Sequence, residues 1–217
     1  MNAKTIKYPR TPHLPWSPGF SPDDVIGNAE WLPNTNVVIS EKMDGECTTL
    51  YSHENGFHAR SMDGRFHPSQ AWCKALHAAI RNNIPSGWRI CGENLYAEHS
   101  IHYNSLHSFF LIFSIWNEFN LCLSYDDTVI WSQLLDLSMV PTLWKGTWPS
   151  NTIKEKELIQ SLIPNSNTQE GYVIRNANSF HYNDFQSNIA KWVRPNHVQT
   201  DEHWKSKPII PNNLLTS

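Results

Sequence analysis

The segment Glu41-Lys42-Met43-Asp44-Gly45-Glu46 sets one primary amine among three carboxylates. A lysine in such company can act as a covalent nucleophile once its proton is gone. Lys-x-Asp-Gly is a short pattern, however, and Asp-Gly is also a common hairpin turn, so a turn with a solvated lysine is the simpler account of these residues alone. The chain carries its own control: Ser61-Met62-Asp63-Gly64 repeats Met-Asp-Gly with serine in the lysine's place, and it reads only as a turn. Downstream, an ordered series follows. Arg60 comes first, then Gly92-Glu93-Asn94, then the apolar run 109–116 with Phe113, then Glu170-Gly171-Tyr172-Val173-Ile174-Arg175, and finally Ala190-Lys191-Trp192-Val193-Arg194. His99, His102 and His107 lie near Glu98, but no helical His-Glu-x-x-His pattern accompanies them. A Gly-x-Ser-x-Gly elbow and a Walker-type glycine loop are both missing.

These residues need elements to hold them. Short β-type runs bounded by turn residues occur at 36–41, 47–52, 57–61, 88–93, 109–116, 119–123, 171–175 and 188–194. Helical spacing appears at 69–82, through Trp72, Leu76, Ala79 and Ile80, and at 127–137, through Ile130, Leu134 and Leu137. Thr152 with Glu155 reads as a capping box opening a third helix. The irregular interleaving, with no repeating βαβ unit, predicts an α+β fold. Six prolines within the first 33 residues mark 1–35 as an extended lead-in packed on the domain, 36–200 as the domain, and 201–217 as a tail too short for another.

Composition bounds the rest. The 217 residues include 17 Lys+Arg and 20 Asp+Glu, a net charge of -3, so a basic surface for nucleic acid has to be local. With 40% hydrophobic and 17% charged residues, the chain folds, and no apolar run reaches the length of a membrane span. The first residues lack the apolar stretch of a secretory signal, which makes the cytoplasm the expected compartment. Cys47, Cys73, Cys91 and Cys122 fit no zinc spacing and read as reduced thiols.

Taken together, the ordered series resembles the ATP-dependent RNA ligase family of covalent nucleotidyltransferases, over Glu41 to Arg194. Gly-Glu-Asn-Leu-Tyr-Ala-Glu-His-Ser-Ile-His-Tyr and Ala-Lys-Trp-Val-Arg-Pro-Asn-His-Val are closer to RNA ligases than to DNA ligases or capping enzymes. The resemblance implies an ATP-grasp-like architecture, two antiparallel sheets flanking a nucleotide cleft. It implies that ATP is the cosubstrate, that AMP becomes a covalent adduct on Lys42, and that Mg²⁺ or Mn²⁺ assists. On the same basis Lys191 contacts the α-phosphate, Glu93 lies near the ribose, Glu170 contacts metal or nucleotide, and both carboxylates suit a hard cation. Phe113 stacks on adenine, Glu41 meets its edge, Arg60 contacts nucleotide or 5′-phosphate, and His99 and Arg194 approach nucleic-acid phosphate. Freeing an ordinary lysine amine at pH 7 costs roughly 4.6 kcal/mol, and Lys191 is the expected neighbouring cation that lowers this cost.

Two positions depart from the family pattern. Ser114 stands where relatives often have an acidic residue, and the late motif has Lys191 and Arg194, with Ile189 at the earlier basic position. The implied substrates are RNA ends or a nicked duplex. With no oligonucleotide-binding barrel after the late lysine, an end-healing or RNA-binding partner protein is the expected helper. The alternatives are a nick-sealing DNA ligase of the same superfamily and a non-ligating nucleotide-binding or partner-docking module.

Overall fold

The structure, a computed structural model, describes residues 5–53, 56–59, 67–163, 168–195 and 208–215. In chain order its elements begin with β1 (Asn36–Lys42), β2 (Glu46–Tyr51), β3 (Phe57–Ala59), α1 (Ala71–Ile80), β4 (Arg89–Asn94) and β5 (Phe110–Trp116). There follow β6 (Leu121–Cys122), α2 (Tyr125–Leu134), β7 (Ser138–Met139), β8 (Thr142–Thr147), α3 (Thr152–Leu162), β9 (Gly171–Asn176), β10 (Phe180–His181) and β11 (Ile189–Val193).

Strand alternation sorts side chains to two faces, and it decides what each sheet covers. Among the described residues, β11-β9-β1-β8 form one antiparallel sheet. Val37, Ile39, Tyr172, Ile174, Ala190 and Trp192 lie on its outer face, in one core cluster with Leu158 and Leu162 of α3. Ser40, Lys42, Val173, Arg175, Ile189 and Lys191 occupy the alternate positions and turn inward. The second sheet runs β10-β6-β5-β4-β2-β3, antiparallel throughout, with β7 added to β5 in parallel. Its outer face buries Leu50, Ile90 and Ile112 beneath α1 and α2. Between the sheets, Tyr8, Cys91, Trp116, Phe185 and Ile189 form a third cluster, which closes one end of the space. The α+β class, with two sheets and few helices, is thus present, and no helix of the described residues is long and apolar enough to cross a membrane.

The lead-in is built into the domain. Leu14 N donates to Lys191 O and Lys191 N to Pro12 O, so this segment pairs with the outer edge of β11. Leu14 and Leu32 are fully buried in the outer core. Each contributes roughly 1.5–3 kcal/mol by leaving water. Residues 208–215 also pair with the body, through the bridges Ala97 to Pro211 and Leu106 to Leu214.

The third helix starts differently from its sequence pattern. Asn151, not Thr152, is the N-cap, accepting from Ile153 N and Lys154 N, while Glu155 turns back to accept from Trp148 Nε1 at 2.9 Å. A cap one residue earlier leaves Glu155 at the wrong offset to close a capping box, and the indole claims it instead.

Candidate active site

β1 and β2 are consecutive in sequence but belong to different sheets, so Met43-Asp44-Gly45 carries the chain across from one to the other. Lys42 therefore stands at the inner end of β1, where the sheets are bridged. The crossing is pinned. Asp44 Oδ2 accepts from Ser100 N and Ile101 N at 2.7 and 2.9 Å, and Asp44 N donates to Tyr103 Oη at 2.9 Å. A Cβ on Gly45 would come within 2.6 Å of Asn94 O, so only glycine allows so close an approach to β4. Asp44-Gly45 is thus a bolted crossover rather than a hairpin turn.

The inward faces of the two sheets enclose a cleft of about 580 Å³, within the usual range for small-molecule sites. Lys42, Glu41, Glu93, His99, Phe113 and Lys191 all line it. Glu170, from the residue before β9, reaches Lys42, with Oε2 2.6 Å from Nζ. Burial is the largest influence on the Lys42 ammonium and pushes its pKa down, but the carboxylates of Glu170, then Glu93 and Asp44, outweigh it and hold the value above that of an ordinary lysine. The expected lowering by Lys191 is not what this arrangement produces. Lys191 faces Asp24 of the lead-in at 4.0 Å, while three acids surround Lys42.

Glu93 has the opposite problem. Burial pushes its carboxyl up to about 8, Lys42 opposes this, and the nearby acids Glu170, Asp44 and Glu46 add to it. Glu41 is likewise raised by burial, and Gln169 offsets part of that through a hydrogen bond. Crowded acids of this kind favour a cation or proton between them. Among the described residues, no three or more His, Cys, Asp or Glu side chains are grouped to hold a metal by themselves. The hard oxygens of Glu93 and Glu170 fit a Mg²⁺-type ion that takes its remaining ligands from water and phosphate.

Other candidates sit elsewhere. Arg194 is buried behind the cleft, its Nε donating to Gln169 O at 3.0 Å and its backbone N to Glu170 O at 3.0 Å, so it steadies the residue that meets Lys42. Arg60 lies outside the described residues. Ser114 is a core residue, 1% exposed, with its hydroxyl accepting from Trp116 Nε1 at 3.1 Å. The departure from the family's acidic residue therefore falls at a packed position in this chain.

The lead-in supplies residues that motif reading missed. Tyr8, Arg10, Thr11 and Asp24 all line the cleft, and buried His13 stands 3.6 Å from Asp24. Proline spacing signals an extended segment but not which residues face inward. Arg175 also borders the cleft and spends its guanidinium on Leu123 O and Phe113 O, at 2.7 and 3.3 Å, fixing the backbone beside Phe113. Its only sequence signal was its place at the end of the Glu170 motif.

Two antiparallel sheets bridged at Lys42, with few helices, are similar to the fold of the ligase nucleotidyltransferases. The model of the RNA ligase family matches residues 35–193. The chain belongs to the RNA ligase family. Among solved structures it is similar to an archaeal ATP-dependent RNA ligase, with a TM-score of 0.56 and 17% identity over 88% of this chain and 48% of that one. A variant of the Naegleria gruberi RNA ligase with ATP and Mn gives 0.54 and 14%, over 78% and 53%. A putative ATP-dependent DNA ligase from Aquifex aeolicus gives 0.55 and 17%, over 88% and 50%. The chain thus spans about half the length of these proteins. No curated protein sequence matches it.

Proposed function

We propose that the chain is an ATP-dependent RNA ligase, an ATP-grasp-like nucleotidyltransferase whose inter-sheet cleft takes ATP and joins RNA 5′-phosphate and 3′-hydroxyl ends. The observation that carries this reading is Lys42 at the sheet crossing, 2.6 Å from Glu170 and in one cleft with Glu93, Phe113 and Lys191. The Lys42 amine attacks the α-phosphorus of ATP, forming a phosphoramidate bond as the bond to pyrophosphate breaks. AMP then passes to an oxygen of the RNA 5′-phosphate as the Lys42–phosphorus bond breaks, and the RNA 3′-hydroxyl attacks the phosphorus of that 5′-phosphate, forming the phosphodiester bond and releasing AMP. Lys191 steadies the negative charge at the α-phosphate, and Phe113 holds the adenine by stacking. Glu93 and Glu170 would hold Mg²⁺ or Mn²⁺, which when bound neutralises charge on phosphate oxygens. Manganese and ATP accompany the Naegleria gruberi ligase variant, and this supports the assignment.

Glu170 is well placed for the proton problem. While it is unligated, it keeps Lys42 as an ammonium. A cation held at Glu170 would take up part of that negative charge and so weaken its pull on the Lys42 ammonium. The cytoplasm, where ATP and broken RNA meet, is the compartment we assign. A partner that heals ends or grips RNA fits a chain of net charge -3.

The test is incubation with ATP and Mg²⁺ followed by intact mass and peptide mapping. An AMP adduct on Lys42, absent from Lys42→Ala, is the expected result; no adduct with any nucleotide and divalent metal would leave the non-ligating module instead. The likeness to the Aquifex aeolicus protein keeps DNA sealing as the second reading. Sealing of a DNA nick with none of the matched RNA nick would replace the RNA claim.

A further inference from the structure

The cleft is chemically two-ended. Lys42 marks one end of the four-stranded sheet's inner face; past the paired Val173 and Lys191, Ile189 joins Tyr8 and Phe113 in the inter-sheet apolar cluster at the other. A nucleotide with its α-phosphorus at Lys42 has its base at the apolar end, and there the lead-in contributes Tyr8.

Tyr8 is only 9% exposed. Its ring is set by edge contacts with Phe113 at 5.1 Å, Phe185 at 5.2 Å and Trp116 at 6.5 Å between centroids. The backbone on its N-terminal side is tied down as well, since Tyr182 Oη donates to Lys7 O and Tyr51 Oη both accepts from Ile6 N and donates to Ile6 O, each at 2.8 Å. The Tyr8 hydroxyl has no hydrogen-bond partner among the described residues, yet it is not one of the sealed, partnerless polar atoms. Among the polar groups near this end, Arg175 is engaged with the carbonyls of Phe113, Leu123 and Asn176, and Glu41 with Gln169. A fixed phenol with spare hydrogen-bonding capacity at the edge of an apolar slot is a preorganised reader of a flat ligand.

We infer that Tyr8 is a base-positioning residue, its hydroxyl oxygen accepting a hydrogen bond from the 6-amino group of an adenine lodged beside Phe113. This rests on the nucleotide reading above. Burial holds the phenol well above its ordinary pKa, so it stays neutral across the working range.

The experiment titrates ATP against the rate of adduct formation on Lys42 by intact mass, using the full chain with Mg²⁺, for wild type and Tyr8→Phe. The same is done with purine riboside triphosphate, which lacks the 6-amino group. Phenylalanine keeps the ring contacts and removes only the oxygen. One neutral hydrogen bond predicts a rise of about 3- to 10-fold in KM for ATP with kcat nearly unchanged. Wild type should show the same rise with purine riboside triphosphate, and Tyr8→Phe no further rise, because both changes delete one bond. An unchanged KM for ATP in Tyr8→Phe, or penalties that multiply, would overturn the assignment while leaving the ligase reading intact. A wild-type chain that forms no adduct removes the ligase reading and this inference with it.

Discussion

As the proposed nucleophile, Lys42 must first lose a proton, and Glu170 at 2.6 Å opposes that loss. Glu170→Gln removes the carboxylate that raises the lysine's pKa, so the rise of adduct formation with pH should move to lower pH, even as weaker metal handling lowers the plateau. A midpoint that stays put would show that Glu170 does not govern the lysine. Glu93 makes a separate stability prediction. Between its ordinary value of 4.5 and about 8, the folded chain keeps a proton that the unfolded chain has shed, so stability declines as pH rises through that window. Thermal unfolding from pH 5 to 8.5 should show the decline, and Glu93→Gln should flatten it, gaining on the order of 2 kcal/mol at the alkaline end. The acids around Lys42 were legible from the motifs, but their effect was not. Spacing along the chain does not say that Asp24 of the lead-in engages Lys191, nor that three carboxylates converge on Lys42.

At the level of elements, the inner end of β1 depends on how closely β9 approaches β11. Gly171 pairs with Lys42 on one side and Val193 on the other, and a Cβ there would fall 2.0 Å from Trp192 O. Backbone cannot swing aside as a side chain can. Gly171→Ala should therefore cost about 1–3 kcal/mol in chemical denaturation, with a fall in Lys42 adduct formation, and a variant as stable as wild type would mean that the sheet yields. The long strands were legible because alternation marks them: β1, β4, β5, β9 and β11 fall within a residue or so of the expected spans. β8 was missed, since Thr142-Leu143-Trp144-Lys145-Gly146-Thr147 is an edge strand, largely exposed and without clean alternation. β7 and β10, two residues each, exist only through their partners and leave no pattern of their own.

Over the whole molecule, the lead-in shows how far local reading reaches. Its prolines announce an extended path, but only the folded chain shows Leu14 and Leu32 in the core and Tyr8 and Asp24 at the cleft. The proposed RNA binding is governed at the same scale. With a net charge of -3, and with Arg10, Lys42, Arg175 and Lys191 the Lys and Arg residues that line the cleft, the plot of log affinity against log salt should be shallow, with a slope of magnitude no more than about 3. A slope near that of a protein making ten phosphate contacts would reveal a basic surface elsewhere. The inter-sheet core also has a practical consequence. Cys73, Cys91 and Cys122 are buried, and burial raises each thiol's pKa, to about 11 for Cys91, so they resist alkylation. Cys47 is half-buried, lies across from Glu93 in the β2–β4 pairing, and borders the cleft. A maleimide should thus label the native chain once and the denatured chain four times, and ATP should slow the single native reaction. The chain carries its own occupancy gauge, readable on a mass spectrometer without any engineered tag.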